Sequence, residues 1–187
     1  MHTSTLYNDC AFTLLSAEEI SVMVDRLAAE IQATYENSGH PLVMVVILKG
    51  SMPFAADLMK RLTLPLELEF MKVSSYGAGT KSSGEIKVSL DLNRDDLANI
   101  DLLVVEDIID SGRTLSRLTE LLRHRNAHSV RTCTLLDKPS RREVDFVPDF
   151  CGATLPNEFV IGFGLDYDEK YRNLPFVGIL KREVYEK

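Results

Sequence analysis

Two adjacent acids, Glu106 and Asp107, are separated by two apolar residues from the run Asp110-Ser111-Gly112-Arg113-Thr114. That run can do chemistry. If a helix opens at its end, the backbone N–H groups of Ser111 to Thr114 point at one spot. The positive helix end then lies behind them and two hydroxyls lie beside them. This is a phosphate cradle, and Gly112 permits the close backbone approach it needs. Taken as a bare tripeptide, Asp-Ser-Gly is equally a common turn in which Asp110 or Ser111 does no more than cap a helix. Context makes the longer run specific. The apolar segment Leu102-Leu103-Val104-Val105 leads into the acids and puts them at the carboxyl end of a strand, where open α/β sheets bind ligands.

The elements that must position this run are legible as hydrophobic pattern. Ser16-Ala17-Glu18-Glu19 reads as a capping box. Ile20, Met23, Val24, Leu27, Ala28 and Ile31 follow at helical spacing, with Gly39 and Pro41 beyond the end. Residues 42–48 are β-branched and apolar on both faces, as in a strand covered on two sides. Pro53 suits the first turn of a helix whose apolar face is Phe54, Leu58 and Leu62. Further strands are expected at 66–73, 86–92, 102–105, 130–136, 159–163 and 176–180, and a helix over 114–125 carries Leu115, Leu118 and Leu122. Residues 74–85 form a polar stretch rich in Gly and Ser, of the kind that is usually mobile and functional. Alternating strands and helices predict an α/β fold with an open, mainly parallel sheet flanked by helices.

Composition narrows the function classes. The 187 residues suit a single domain over 1–187, with no linker, repeat or low-complexity tract. Against 21 Lys and Arg stand 28 Asp and Glu, a net charge of -7. No broad basic footprint for nucleic acid is therefore expected, and a polyanionic ligand would need a divalent cation to help hold it. Cys10, Cys133 and Cys151 are odd in number and far apart, which argues against a disulfide framework. The first residues lack a secretory signal pattern, and the longest apolar run is too short to cross a bilayer. A cytoplasmic protein with no membrane partner is the expectation. His2, His40, His124 and His128 show no metal-ligand spacing.

The run from Leu102 to Leu115 resembles the phosphoribosyl-diphosphate motif of type I phosphoribosyltransferases. More narrowly, residues 14–182 are similar to the hypoxanthine(-guanine) phosphoribosyltransferases, with several motifs in the same order. The resemblance implies a parallel sheet flanked by helices and a small hood over the base, built from the N-terminal and C-terminal segments. It also implies a purine-salvage reaction. N9 of a 6-oxopurine (hypoxanthine, with guanine as the further candidate) displaces diphosphate from phosphoribosyl diphosphate with the help of Mg²⁺, giving the nucleoside monophosphate. A homodimer or homotetramer is implied as well.

Residue by residue, Glu106 and Asp107 look like the acid pair that receives the ribose hydroxyls and orders the metal, directly or through water. Asp110 resembles the carboxylate beside purine N7, the candidate general base. Ser111, Gly112, Arg113 and Thr114 resemble the 5′-phosphate loop. Breaking the bond at C1′ builds oxocarbenium character, which nearby carboxylates stabilise. Lys49 and Gly50 are similar to the diphosphate loop, with Ser51 where relatives often have a second Gly; in this family the peptide before that Lys can be cis. Ser75 and Tyr76 resemble the start of the loop that folds over diphosphate and excludes water. Lys138 is similar to the Lys that donates to the purine O6, which a 6-amino group cannot accept. Phe159 would stack on the base and Val160 would read its edge with backbone groups. Asp166 would ligate Mg²⁺ through diphosphate, and Arg172 matches the Arg that contacts diphosphate. The rival reading is a regulator with this fold that binds nucleic acid; it would need a basic face or an added segment, and neither is present.

Overall fold

The structure, a computed structural model, describes residues 5–75 and 86–186. Six strands form the main sheet: β2 (Leu42–Ile47), β3 (Leu66–Ser75), β4 (Ile86–Leu90), β5 (Asp101–Ile109), β6 (Ser129–Asp137) and β7 (Phe150–Thr154). Their spatial order is β4-β3-β2-β5-β6-β7. All pairs are parallel except the edge pair β3–β4. The central strands are apolar on both faces because helices cover both, and every residue of β2 is buried.

On one face lie α2 (Ala17–Tyr35) and α3 (Met52–Met59), which pack Val24, Leu27, Ile31, Phe54 and Leu58 against Met44, Val46, Leu103 and Val105. On the other face α4 (Arg113–His124) presses Leu115, Leu118 and Leu122 onto Val43, Val45, Leu102 and Val104. The α2 start is the capping box expected from sequence: Glu19 N–H donates to Ser16 Oγ at 3.2 Å and Ser16 N–H to Glu19 Oε2 at 2.8 Å.

A second, three-stranded antiparallel sheet in the order β1-β9-β8 stands apart from the first. It joins β1 (Cys10–Leu15) to β9 (Val177–Leu180) and β8 (Val160–Ile161), and is flanked by the short helices α1 (Thr5–Asn8) and α5 (Arg182–Tyr185). The expected strands at 159–163 and 176–180 thus belong here rather than to the main sheet, and the first of them is shorter than expected. Two strands were not expected at all: β1, in which no residue is fully buried, and β7, whose short sequence Phe-Cys-Gly-Ala-Thr carries little strand pattern. Among the described residues no helix is long and apolar enough to cross a membrane.

Candidate active site

The site begins with how β5 ends. The strand does not stop at Val105 but runs to Ile109, because β6 pairs with it as far as Ile109 opposite Asp137. Glu106 and Asp107 therefore sit within paired strand, held rigidly. Their carboxyl groups lie against each other, and burial raises both from the usual carboxylate range. For Glu106 the charge of Asp107 raises it further. Arg172 and the Ile108 N–H, which donates to Asp107 Oδ1 at 2.8 Å, oppose the rise at Asp107 without cancelling it. Gly50 is packed so closely that a Cβ there would stand 1.7 Å from Asp107 Oδ2.

The loop after β5 has the cradle's shape. Gly112 takes φ +78°, a left-handed conformation that suits glycine, and is the residue from which α4 starts. Gly112, at the cap position, has no side chain to close that helix start, which leaves room for a ligand beside it. The capping reading of Asp110 fails here: its carboxylate points instead to Lys138, with Nζ 3.7 Å from Oδ1. Ser111 Oγ accepts from Arg113 N–H at 3.4 Å. Arg113 turns outward to Glu143 at 2.6 Å, away from the cradle. Thr114 occupies the first turn of α4.

Lys138 follows β6 directly and is buried, its side chain only 8% exposed. Burial lowers its pKa, while the carboxylate of Asp110 opposes that shift. Lys138 and Asp110 line one cleft of about 440 Å³ together with Phe159, Val160, Asp107 and Asp166. Phe159, 37% exposed, precedes β8, and its ring packs edge-on against Tyr167 and stacks on Tyr185 at 5.0 Å. Val160 is buried in the wall.

The structure places the cations Lys49 and Arg172 in a neighbouring pocket rather than in this cleft. The peptide Leu48-Lys49 is cis. Lys49 Nζ reaches Glu169 Oε2 at 2.9 Å, and Arg172 bonds Asp166 Oδ1 at 2.8 Å. Ser51, where a second Gly was considered, is buried and donates its hydroxyl to the Ile47 carbonyl, so the loop has a use for that side chain. Gly164 closes the corner: a Cβ there would meet the Gly50 carbonyl oxygen at 1.9 Å. Of the remaining sequence candidates, Ser75 ends β3, and Tyr76 lies outside the described residues.

A phosphoribosyl transferase domain model matches residues 13–168. The chain is 50% identical over 179 residues to the hypoxanthine-guanine phosphoribosyltransferase of Bacillus subtilis, covering 96% of this chain and 98% of that one. It is 55% identical to the Lactococcus lactis protein of the same name, over 93% of each chain. The chain belongs to the hypoxanthine-guanine phosphoribosyltransferase family.

Two further relatives frame that membership. The bifunctional protein TilS/HprT of Listeria monocytogenes is 51% identical over 98% of this chain, which spans 28% of that relative's length. A crystal structure of a hypoxanthine phosphoribosyltransferase from Staphylococcus aureus superposes with TM-score 0.93 at 45% identity, covering 100% of both chains. Within this phosphoribosyltransferase cleft, sequence reasoning missed Arg141, Asn157, Glu158 and Tyr185, which also line it. Arg141 ends a three-residue 3-10 turn, Asn157 and Glu158 lie in a loop and Tyr185 in a short terminal helix, none with a periodicity to mark it. Arg142, discussed below, left no signal because its partners are 32 and 5 residues away.

Proposed function

We propose that this chain transfers the phosphoribosyl group of phosphoribosyl diphosphate to N9 of a 6-oxopurine, giving the nucleoside monophosphate and diphosphate. The observation that carries this reading is the pairing of buried Lys138 with Asp110 in the cleft that Phe159 walls. A base stacked on Phe159 would offer its O6 to the Lys138 ammonium and its N7 to Asp110. Backbone groups of Val160 would read the opposite edge. The loop of Ser111, Gly112, Arg113 and Thr114 would hold the 5′-phosphate. Lys49, Gly50 and Arg172, with Ser75 and Tyr76, would hold diphosphate.

In the reaction the bond from C1′ to the diphosphate oxygen breaks, both electrons leaving with diphosphate, and the N9–C1′ bond forms. The proton lost by the purine passes to Asp110. Glu106 and Asp107 would receive the ribose hydroxyls, and their ionised form stabilises the positive charge that develops at C1′.

Mg²⁺ fits this donor set as a shared rather than a caged ion. No three His, Cys, Asp or Glu side chains converge on a metal position among the described residues. Asp166 would supply one carboxylate and Glu106 and Asp107 would order the other side, with substrate oxygens sharing the ion. Bound there, the ion neutralises charge on the diphosphate leaving group.

We further propose that the β1-β9-β8 sheet is the hood over the base within a single domain, and that the protein works as a homodimer or homotetramer in the reducing cytoplasm, with no nucleic-acid or membrane partner. The test of activity is ultraviolet absorbance with hypoxanthine, phosphoribosyl diphosphate and Mg²⁺. Nucleotide should form. Its absence at any protein concentration would return the chain to the regulator reading.

A further inference from the structure

The phosphate loop and the base-reading strand are separate pieces of chain, yet a purine nucleotide would have to touch both at a fixed separation. Besides the Lys138–Asp110 pair, a shielded side chain joins them. Arg142 Nη1 donates to the Asp110 carbonyl oxygen at 2.6 Å, and Arg142 Nη2 donates to Asp137 Oδ1. Asp137 is the last residue of β6, next to Lys138. The two side chains are only 15% and 11% exposed, so the pair is shielded and geometrically defined rather than a loose surface contact. The segment carrying Arg142 also lies flat on the loop. Glu143 N–H donates to the Ser111 carbonyl at 3.0 Å, and a Cβ on Gly112 would stand 2.9 Å from Arg142 Cδ.

The loop's other ion pairs are more open: Arg113–Glu143 is about half exposed at both partners and Asp110 is about half exposed in its pair with Lys138, while Gly112, the least constrained residue type, sits at the turn. The backbone link from Lys138 N–H to the Ile109 carbonyl, 3.0 Å, fixes the strand ends but stops one residue short of Asp110. Arg142 bridges that last residue. A guanidinium suits the task because its planar fork donates in two directions at once, which a single ammonium does not reproduce.

We propose that Arg142 is a positioning residue. It locks the phosphate loop to the end of β6, so that the 5′-phosphate cradle and the Asp110–Lys138 pair keep one spacing. The inference rests on the nucleotide-binding reading above and deepens it. Arg142 acts through the loop rather than by touching the base, since it does not line the cleft.

Calorimetric titration with inosine 5′-monophosphate tests this in a double-mutant cycle of Arg142→Gln and Ser111→Ala, at a temperature where all variants are folded. Arg142→Gln should weaken nucleotide binding about tenfold or more. Ser111→Ala should weaken it in the parent but hardly at all once Arg142 is gone, because the hydroxyl is then no longer held in place. A residue that only stabilised the fold would lower thermal stability and leave the two effects additive. Arg142→Lys keeps the charge but not the fork, and should resemble Arg142→Gln; full recovery by Lys overturns the lock. If Arg142→Gln does not fold, Asp137→Asn cuts the other end and the same non-additivity is expected. A parent that binds no nucleotide overturns the functional reading itself. A parent that binds while Arg142→Gln and Asp137→Asn bind within about threefold of it, or with additive effects, overturns the lock alone.

Discussion

Strand β5 carries acid at both ends, and the two ends are treated oppositely. At its start, Asp101 is buried, which alone would raise its pKa, but hydrogen bonds from Ser129, His128 and Ser38 bring it below the usual aspartate range. His128 Nδ1 lies 2.9 Å from Asp101 Oδ1, and the His128 ring stacks on His40 at 3.6 Å. Toward the other end Glu106 and Asp107 lie side by side; burial raises both, and the charge of Asp107 raises Glu106 further. Same strand, same residue chemistry, opposite outcome. The structural acid is supplied with several donors by its own chain, whereas the Glu106–Asp107 pair has little beyond the Ile108 N–H, as expected of acids kept for a ligand.

The contrast is sharpened first at Asp110, where the largest effect is expected. Its carboxylate is half-exposed and faces Lys138 rather than an N–H group of α4. Asp110→Asn should lower turnover by roughly 10²–10⁴-fold, the scale of one general acid–base group, with almost no change in melting temperature. Stopped assays beside a thermal melt check both halves. A turnover within a few-fold of the parent would mean the charge is not used.

Next come the cleft acids themselves. Glu106→Gln removes one of two crowded carboxylates, so turnover should fall by about 10–100-fold while the substrate-free protein melts a few degrees higher. Activity and stability moving in opposite directions is the signature of an acid held for function. Asp166→Asn should lower turnover and the steepness of its Mg²⁺ dependence together; full turnover of the parent in excess chelator would contradict any metal role.

Asp101→Asn should do the reverse of Glu106→Gln. It weakens the bonds with Ser129 and His128 and should cost about 1–3 kcal/mol of stability, with turnover unchanged because it lies at the far end of the sheet. The smallest effect is the pH dependence. Asp101, lowered in the folded state, contributes stability that is present above the ordinary aspartate pKa and lost as pH falls through its folded value. Glu106 and Asp107, raised in the folded state, contribute stability that is present in acid and lost as pH rises from the ordinary carboxylate range through their folded values. Chemical unfolding at several pH values should show both limbs, Glu106→Gln flattening the second and Asp101→Asn the first.

The sequence made the central strands and the α2, α3 and α4 faces legible because each buries a continuous apolar surface with a fixed period. The cradle was legible because its residues are contiguous. A hood from the two ends of the chain was implied by the resemblance alone; the residue pattern did not mark a second sheet, because β8 is two residues long and its partners β1 and β9 come from opposite ends of the chain. Arg142 was invisible for the same reason, since a guanidinium joining Asp110 to Asp137 leaves no local pattern. Local chemistry is written in spacing, but the supports of that chemistry are written in tertiary contact.

The central claim is that the Lys138–Asp110 end of the cleft reads a 6-oxo group. It is tested most directly by comparing turnover of hypoxanthine, guanine, xanthine and adenine, each with phosphoribosyl diphosphate and Mg²⁺. A Lys ammonium can donate to O6 but finds no acceptor in a 6-amino group, so a loss of at least about 10³-fold is expected for adenine relative to hypoxanthine. Lys138→Met should abolish most of that discrimination by slowing hypoxanthine. Adenine turned over as well as hypoxanthine by the parent protein would contradict the account.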